Sequence, residues 1–395
     1  MNFNDAHQSP LRTGALYEVI VVGARASGAA TAMLLARRGL RTLLLDHGEP
    51  GSDTLSTHAL MRGGVMQLSR WGLLDGIVAA GTPPVRRTTF RYGDENIVIS
   101  IKPSHGVDAL YAPRRTILDA LLVRAAIDAG ADVHHRTSVT DLIMRDGRVH
   151  GVHAATPDGR IADVGAPLVI GADGVRSTVA RSVGAQFTRV GNHAAATTYA
   201  YWSDLVTDGY EWNFSPNACS GVIPTNNGEV CVFANATPER IGRGGVAIIN
   251  DVVAEGTPAL AERLRRATPP RGARTWSGQR GYLRRSYGPG WALVGDAGYF
   301  KDPISAHGLT DALRDAELMA RAVIDGFGSH SMLTHALEQY ETTRDQLSVP
   351  LFDVVDRIAG HRWNEREIGQ LLLELNSATA DEVETLAAIE SGAMS

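Results

Sequence analysis

The fold is decided by residues 17–28, which read YEVIVVGARASG. The first six of them form a β-branched run of strand length, and Gly23 ends it. Residues 27–38 then become rich in Ala and Leu at helical spacing, and Gly39 stands where such a helix ends. Residues 41–46 form a second apolar strand that ends on an acid. The spacing predicts a β-α-β unit of about thirty residues, the minimal half of a dinucleotide-binding sheet.

Four residues of this unit are suited to a dinucleotide. Gly23 permits the tight turn after the strand, and Gly28 lets the helix lie close to the sheet, so that backbone N–H groups can face a diphosphate. Asp46 can hold a ribose, and its charge disfavours a 2′-phosphate, which leaves FAD and NAD both possible. Arg25 stands where the usual fingerprint has its middle glycine, and its guanidinium could pair with phosphate. The alternative is a glycine turn in an ordinary β-α-β protein.

Two further glycine-aspartate motifs follow. Residues 171–174 read GADG and come directly after the apolar strand at residues 168–170. Asp173 can accept hydrogen bonds there, from Arg176 or Ser177, although alone the motif could be a common Asp-Gly turn. Residues 295–309 read GDAGYFKDPISAHGL, in which an apolar strand ends on Gly-Asp and a helix is predicted to begin near position 307.

The ordered set of three motifs resembles the flavoprotein hydroxylases of the para-hydroxybenzoate hydroxylase type, within a wider set that includes geranylgeranyl reductases and flavin-dependent halogenases. The similarity covers roughly residues 17 to 345. It implies FAD as cofactor, with Asp296 at the ribityl chain, Arg115 at the start of a cofactor-facing helix, and the backbone around Val139 at the adenine. The resemblance and the motifs together place these residues at the cofactor: Gly23, Arg25, Gly28, Asp46, Arg115, Val139, Asp173, Gly174, Asp296, Pro303, Gly308 and Leu309.

The third motif departs from the family pattern. Relatives normally have a glycine, a glutamine and a glycine ahead of the helix, whereas here Ala306 and His307 replace the first two and Gly308 remains. Tyr299 stands where many relatives have histidine. The helix N-terminus can still stabilise negative charge on a reduced flavin ring. The departures therefore concern the substrate class more than the cofactor.

Candidate catalytic residues are His307 and His58, because an unperturbed imidazole has a pKa near neutrality. For each, the alternative is a histidine that only packs beside the flavin. Tyr210, Trp212 and Phe214 alternate with the period of a strand and share one face of it. They are candidates for an apolar substrate pocket, and equally for the ordinary face of a sheet packed on the core.

We expect the α/β class, with a doubly wound, Rossmann-like FAD-binding domain, an interleaved β-rich substrate domain and a helical C-terminal tail. A length of 395 residues suits two packed domains. The predicted parts are a flexible N-terminus (1–16), a first FAD-binding part (17–185) with an inserted sheet near 85–112, the substrate domain (186–290), a return segment (291–347) and the tail (348–395), which we expect to be a cap or packing element.

Local signals predict several elements within these parts. Residues 55–81 are predicted as helical segments broken by Gly63-Gly64, Gly72 and Gly76, and residues 115–129 as an amphipathic helix. Hairpin turns are predicted at Asp146-Gly147 and at residues 226–228.

Bulk properties exclude several classes of protein. The formal charge of -5 provides no basic surplus for nucleic acid. The first sixteen residues lack the apolar core of a signal peptide, and the longest apolar run is far too short for a membrane span. Cys219 and Cys231 form no zinc pattern, so we expect no metal site and a reduced, cytoplasmic protein.

The resemblance implies an FAD-dependent monooxygenase that uses NAD(P)H as a transient reductant and O2 to hydroxylate or epoxidise a small aromatic or unsaturated substrate through a flavin hydroperoxide. The alternative is a reductase or dehydrogenase acting on a C=C bond or a saturated carbon. A halogenase is less favoured, since Lys102 and Lys301 are the only lysines and neither matches that family's lysine. A flavin-binding carrier or sensor without turnover is a third class. The expected partners are the substrate, O2 and, in a two-component system, a separate flavin reductase, with the chain a monomer or homodimer.

Overall fold

The computed structural model describes residues 11–390. Most of the predicted flexible N-terminus, residues 1–10, lies outside the described residues, as does the end of the tail, residues 391–395.

The described residues form nineteen strands. In chain order they are β1 Val19–Val22, β2 Thr42–Leu45, β3 Arg87–Tyr92, β4 Glu95–Ser100, β5 Asp132–His134, β6 Ser138–Arg145, β7 Arg148–Ala155, β8 Ile161–Gly165, β9 Leu168–Gly171, β10 Phe187–Val190, β11 Ala196–Ser203, β12 Tyr210–Ser215, β13 Ala218–Pro224, β14 Glu229–Ala236, β15 Arg274–Trp276, β16 Tyr282–Arg284, β17 Tyr287–Gly288, β18 Trp291–Leu293 and β19 Tyr299–Phe300.

Eleven α-helices occur in the same part of the chain. They are α1 Ala26–Arg37, α2 Arg62–Arg70, α3 Leu74–Ala79, α4 Arg115–Asp128, α5 Thr178–Ser182, α6 Pro238–Ile241, α7 Val246–Gly256, α8 Pro258–Arg266, α9 Gly308–Gly326, α10 His330–Ala359 and α11 Glu365–Glu390.

A six-stranded sheet in the order β17-β18-β9-β1-β2-β5 forms the centre of the nucleotide-binding domain. The strand β1 pairs in parallel with β2 and β9, and β18 pairs in parallel with β9. Because parallel strands end at the same edge, the segments after β1, β9 and β18 lie side by side. These three segments are the glycine turn at residues 23–28 and the two glycine-aspartate motifs, so the predicted α/β class with a Rossmann-like domain is confirmed.

Both faces of this sheet are covered, as a parallel sheet requires. Val19 and Val21 pack into a cluster with the helices α1, α4 and α9. Ile20 and Val22 point to the opposite face and pack against the antiparallel sheet β6-β7-β8. The alternation along β1 explains why its residues are apolar without a polar face.

A second sheet of seven strands has the order β15-β11-β14-β13-β12-β3-β4. The insert predicted near residues 85–112 supplies the edge hairpin β3–β4, which joins through parallel pairing of β3 with β12. One face packs on α7 and α8 around Trp202, and the other carries Tyr199 and Tyr210 toward the nucleotide-binding domain. Helices α6, α7 and α8 therefore lie within the region predicted as β-rich.

The prediction that glycines break residues 55–81 is correct at one place and wrong at two. Gly72, with φ of +73°, separates α2 from α3, but Gly63-Gly64 lies inside α2 and Gly76 inside α3. A Cβ on Gly64 would collide with Leu60, and one on Gly63 would lie 3.2 Å from Thr310 in α9. These two glycines thus serve close helix packing rather than helix termination.

Both predicted hairpin turns are confirmed. Asp146 and Gly147 adopt positive φ between β6 and β7, and Asn227 and Gly228 do so between β13 and β14. Positive φ at both positions suits the right-handed twist of the flanking strands.

The helical character predicted for the tail is confirmed, but the tail is part of the protein core. The helix α10 runs from His330 to Ala359, so the expected boundary at residue 348 falls inside a continuous helix. Leu386 in α11 is buried in the same cluster as α1 and α9. Within residues 11–390, no helix is both long and apolar enough to cross a membrane.

Candidate functional site

The three motifs touch one another at their glycines. A Cβ on Gly23 would collide with the carbonyl oxygen of Ala172, and a Cβ on Gly28 would lie 2.9 Å from the Ala172 side chain. A Cβ on Gly295 would lie 2.8 Å from the hydroxyl of Ser27. The first motif is therefore held against both of the others, and only glycine allows that approach.

Asp46 fixes the turn of the first motif. Its carboxylate accepts hydrogen bonds of 2.6 Å from the backbone N–H of Ala24 and of 2.6 Å from that of Gly48. The side chain lies at the wall of a cleft. The residues that line this cleft are Ala24, Arg25, Asp46, Glu49, Gly51, Asp119, Ala120, Val123 and His135.

Val139 is not one of the residues that line this cleft. It is half-buried against the cluster beneath the β6-β7-β8 sheet, whereas His135, four residues earlier, is a lining residue. The proximity of the Val139 backbone to the adenine remains a prediction.

Arg25 is held by protein partners. Its guanidinium donates to the backbone oxygen of Ser52 at 2.5 Å and to Asp119 at 3.0 Å. The other oxygen of Asp119 accepts a 3.0 Å hydrogen bond from Arg115, the first residue of α4. Asp119 is buried and so joins two predicted cofactor residues. It was not predicted, although its i,i+4 spacing from Arg115 was a usable signal.

Asp173 stabilises the turn of the second motif. It accepts a 2.5 Å hydrogen bond from the hydroxyl of Ser177 and a 2.6 Å bond from the backbone N–H of Thr178. Of the two donors that the sequence proposed, the donor is Ser177. Burial raises the pKa of the Asp173 carboxyl, against the effect of these hydrogen bonds. Gly174 follows with φ of +73°, and a Cβ on it would meet no atom within 4 Å.

The third motif forms an accessible wall in an otherwise buried segment. Between residues 291 and 311, only Asp296, Pro303 and Gly308 are exposed, and we call these three residues the accessible wall. A Cβ on Gly308 would meet no atom within 4 Å, and the side chain of the N-cap residue His307 does not cap the helix α9. Within residues 11–390, no side chain accepts a hydrogen bond from the first-turn N–H groups of Gly308, Leu309 and Thr310. Leu309 is buried in the core, so that only its backbone could reach a ligand.

The pKa of the Asp296 carboxyl is strongly affected by the surrounding protein. Surrounding protein raises the pKa of its carboxyl to about 6, while the nearby charges of Lys301 and Arg115 oppose that increase. Its side chain is nevertheless open to solvent. The charge of Arg115, which pairs with Asp119, thus also acts on the carboxyl of Asp296.

Beneath this wall lies a buried ion cluster, which we call the α9 ion cluster. Arg314 pairs with Asp315 at 2.7 Å and with Glu382 at 2.8 Å, and Lys301 pairs with Asp311. The members are Lys301, His307, Asp311, Arg314, Asp315 and Glu382. Glu382 comes from α11 and was not predicted, because its neighbours in sequence give no sign of a partner 75 residues away.

His307 belongs to this cluster. Its Nε2 atom lies 2.6 Å from Glu382, and the residue is 3% exposed. Burial lowers the pKa of its imidazole, while Glu382 acts to raise it. The burial favours the packing alternative over a catalytic role. Ligand-type atoms of His307, Asp311 and Glu382 lie within 4.8 Å of one another, but Lys301 and Arg314 already neutralise the two carboxylates.

His58 lies at the boundary between the two sheets. It adopts a positive φ of 70°, and its Nε2 atom is 2.5 Å from the hydroxyl of Tyr201. Burial and the charge of Arg114 hold the pKa of this imidazole well below its usual range. The Arg114 guanidinium lies 3.6 Å above the centre of the Tyr201 ring. His58 is therefore a neutral group in an aromatic setting.

The three aromatic residues of β12 differ in their surroundings. Tyr210 donates a 2.8 Å hydrogen bond to the backbone oxygen of Tyr111, and Trp212 donates a 3.0 Å bond to Thr88. Both are buried, which favours the core-packing alternative. Phe214 is half-buried, and a substrate contact remains a prediction for it.

The arrangement fits FAD. The uncapped N-termini of α1 and α9 can face a diphosphate and a flavin, the open positions Gly174 and Gly308 leave room for close approach, and Asp296 is accessible. When bound, FAD supplies the redox chemistry of such a site.

Comparison with known proteins gives the family. The sequence pattern of the FAD binding domain family matches residues 16–353, and the chain belongs to that family. It is an FAD-dependent oxidoreductase.

The relatives and structural neighbours cover most of the chain. The chain is 27% identical over 334 residues to digeranylgeranylglycerophospholipid reductase 2 of Methanothermobacter thermautotrophicus, covering 82% of each chain. Its fold is similar to that of the flavin-dependent brominase Bmp2, with a TM-score of 0.79, 17% identity and coverage of 94% and 93%. PqsL of Pseudomonas aeruginosa, described as a probable FAD-dependent monooxygenase, has a TM-score of 0.71, 16% identity and coverage of 90% and 99%.

Proposed function

We propose that the protein is an FAD-dependent monooxygenase that uses NAD(P)H and O2 to hydroxylate or epoxidise a small aromatic or unsaturated substrate. In this proposal the residues of the three motifs bind and orient the cofactor. The seven-stranded sheet supplies the substrate pocket, and the chain holds the substrate and excludes water.

The supporting observation is that the face of the seven-stranded sheet next to the loop before α9 is aromatic. Ala306, in the loop before α9, packs against a buried cluster that contains Tyr199 and Phe233, and the half-buried Tyr201 packs against the same cluster. The rings of Tyr199 and Tyr201 meet edge to face, with centroids 5.8 Å apart. Tyr199 and Phe233 are buried like Tyr210 and Trp212, so the half-buried Tyr201 is the ring of this group that would contact a small planar substrate, with the buried rings behind it.

Anaerobic reduction followed by oxygen tests this function. With NADPH or NADH we expect the visible absorbance of the oxidised flavin to bleach, and air to restore it. A substrate found in a panel of small aromatic and unsaturated compounds should then gain one oxygen atom from ¹⁸O2. Bleaching that needs an added flavin reductase would place the protein in a two-component system. A substrate that is consumed without uptake of ¹⁸O would overturn the monooxygenase assignment.

The second candidate is reduction of a C=C bond. The relatives named as digeranylgeranylglycerophospholipid reductases support it, since they align with 82% of this chain at 24–27% identity. The same assay separates the two functions. A reductase would return the flavin to its oxidised form under strict anaerobiosis when an isoprenoid alkene is added, and the product would gain two hydrogen atoms.

A further inference from the structure

The helix α11 supplies a charged side chain to the site from outside the matched family region. That region ends at residue 353, whereas α11 spans Glu365–Glu390. Glu382 is 1% exposed, and its two oxygens contact His307 at 2.6 Å and Arg314 at 2.8 Å. Burying a carboxylate costs free energy unless it is paired, and His307 and Arg314 provide that pairing for Glu382.

We propose that Glu382 is a positioning residue for FAD, which acts through His307 to fix the loop that forms the accessible wall. The inference rests on the proposed location of the flavin at Pro303 and Gly308. His307 immediately precedes the first residue of α9 and follows the αL residue Ala306, so its side chain anchors the Gly308 end of this loop, while Asp302 anchors the Pro303 end through the N–H of Ala195. The hydrogen bond between His307 and Glu382 fixes the position of the His307 side chain.

The charges of the cluster explain why a carboxylate is needed at this position. Asp311, Asp315 and Glu382 face the permanent charge of Arg314 and the ammonium of Lys301. Arg314 keeps Asp315 as a partner when Glu382 is neutralised, but no bond other than that to Glu382 is found for the His307 ring within residues 11–390. The effect of removing the charge should therefore fall on His307 and the wall.

The attachment of α11 does not depend on Glu382 alone. Val383 and Leu386 lie beside Gly63 in α2, and Ile368 and Leu371 pack in a cluster with α10. Glu382→Gln keeps the shape of the side chain, but its amide has one oxygen in place of two, so it cannot accept hydrogen bonds from both Arg314 and His307. Glu384→Gln is a matched control two residues away, because Glu384 is exposed and contacts only His105 in the described structure.

The test is a double-mutant cycle on FAD affinity, measured by titrating the apoprotein with FAD and following flavin fluorescence. We expect Glu382→Gln and His307→Gln each to weaken FAD binding about tenfold, and the double variant to be no weaker than either single variant. The shape of the visible absorption spectrum of bound flavin should change in both single variants and stay unchanged in Glu384→Gln.

Three results would overturn the inference. They are an FAD affinity of Glu382→Gln equal to that of Glu384→Gln, additive effects in the double variant, and a His307→Gln protein with normal affinity and spectrum. The measurements on His307→Gln still test the inference if Glu382→Gln does not fold. If Asp296→Ala also retains FAD, the proposed location of the cofactor is wrong, which is a separate failure from that of Glu382.

Discussion

At the scale of single residues, Gly23 carries two constraints that can be separated by mutation. It has φ of +104°, and a Cβ would collide with the backbone of Ala172, whereas Gly39 has φ of +82° and open space around it. Gly39→Ala should cost about 1 kcal/mol through backbone strain alone. Gly23→Ala should cost several times more and lower the FAD content. Urea unfolding of both apoproteins measures the difference, and equal losses of stability would contradict the close approach of the two motifs.

Asp296 is the residue whose loss should affect the cofactor most directly. Its side chain is accessible and enclosed, and the family resemblance places it at the ribityl chain of FAD. We expect Asp296→Ala to fold normally and to be purified depleted of FAD, while Asp251→Ala, an exposed change in α7, remains saturated. The ratio of flavin to protein absorbance is the measurement. An Asp296→Ala protein that stays fully yellow at micromolar concentration would refute the assignment.

Asp302 should make stability depend on pH. Burial raises the pKa of its carboxyl to about 7 from an ordinary value of 3.8, although the N–H groups of Ala195 and Ile304 donate to it. Between about pH 4 and 7 the folded protein binds a proton that the unfolded chain does not, so stability falls as the pH rises, by at most about 1.4 kcal/mol per unit.

Asp302→Asn removes this contribution and keeps an oxygen acceptor. The free energy of unfolding of the variant, minus that of the wild type, should rise from pH 5 to 7 and level off above pH 8. Urea unfolding at each pH gives both values. Parallel curves would show that Asp302 is already ionised at pH 5.

At the scale of elements, β12 shows how packing and function can be distinguished. Tyr210 is 1% exposed and donates to the Tyr111 carbonyl, which also accepts from the backbone of Leu60. Tyr210→Phe therefore removes one hydrogen bond without leaving that carbonyl unpaired, and should cost about 1 kcal/mol. Thermal unfolding checks the loss, and FAD affinity and substrate-dependent NAD(P)H oxidation should not change. A change in the KM for substrate with unaltered stability would instead support a substrate contact.

Elements defined by neighbouring residues were predictable from the sequence. The β1-α1-β2 unit was predicted from its apolar runs and from Gly23 and Gly39, and the observed helix Ala26–Arg37 begins and ends within a residue of the prediction. Turn glycines with positive φ were equally visible. By contrast, Gly63-Gly64 looked like a helix break, because only the contact with α9 explains a glycine pair inside a helix.

Features that depend on distant residues were not predictable. The parallel pairing of β3 with β12 joins residues more than a hundred positions apart, and no local pattern encodes that register. The pairing of Glu382 with His307 has the same origin, since an acidic helix usually faces solvent. The cofactor motifs were visible because backbone geometry demands glycine there, whereas the buried charges beneath them became visible only in the fold.

At the scale of the whole molecule, the interleaved chain should make the two sheets unfold together. The chain leaves the nucleotide-binding domain for the hairpin β3–β4, returns for β5 to β9, and leaves again for β11 to β15. Residues of α11 then complete the cluster around α1 and α9. The segments that form one sheet are thus separated in sequence by segments of the other. We therefore expect the two sheets to unfold in one cooperative transition.

Binding of FAD should therefore stabilise the entire molecule. At an FAD concentration one hundred times Kd the folded state gains about 2.7 kcal/mol. For 395 residues the unfolding entropy corresponds to about 0.8 kcal/mol per degree, so Tm should rise by about 3 °C. Calorimetry should show one peak that shifts as a unit, with Glu384→Gln behaving like the wild type. Two peaks, of which FAD moves only one, would mean that the seven-stranded sheet is stable without the nucleotide-binding domain and that the interleaving does not couple them.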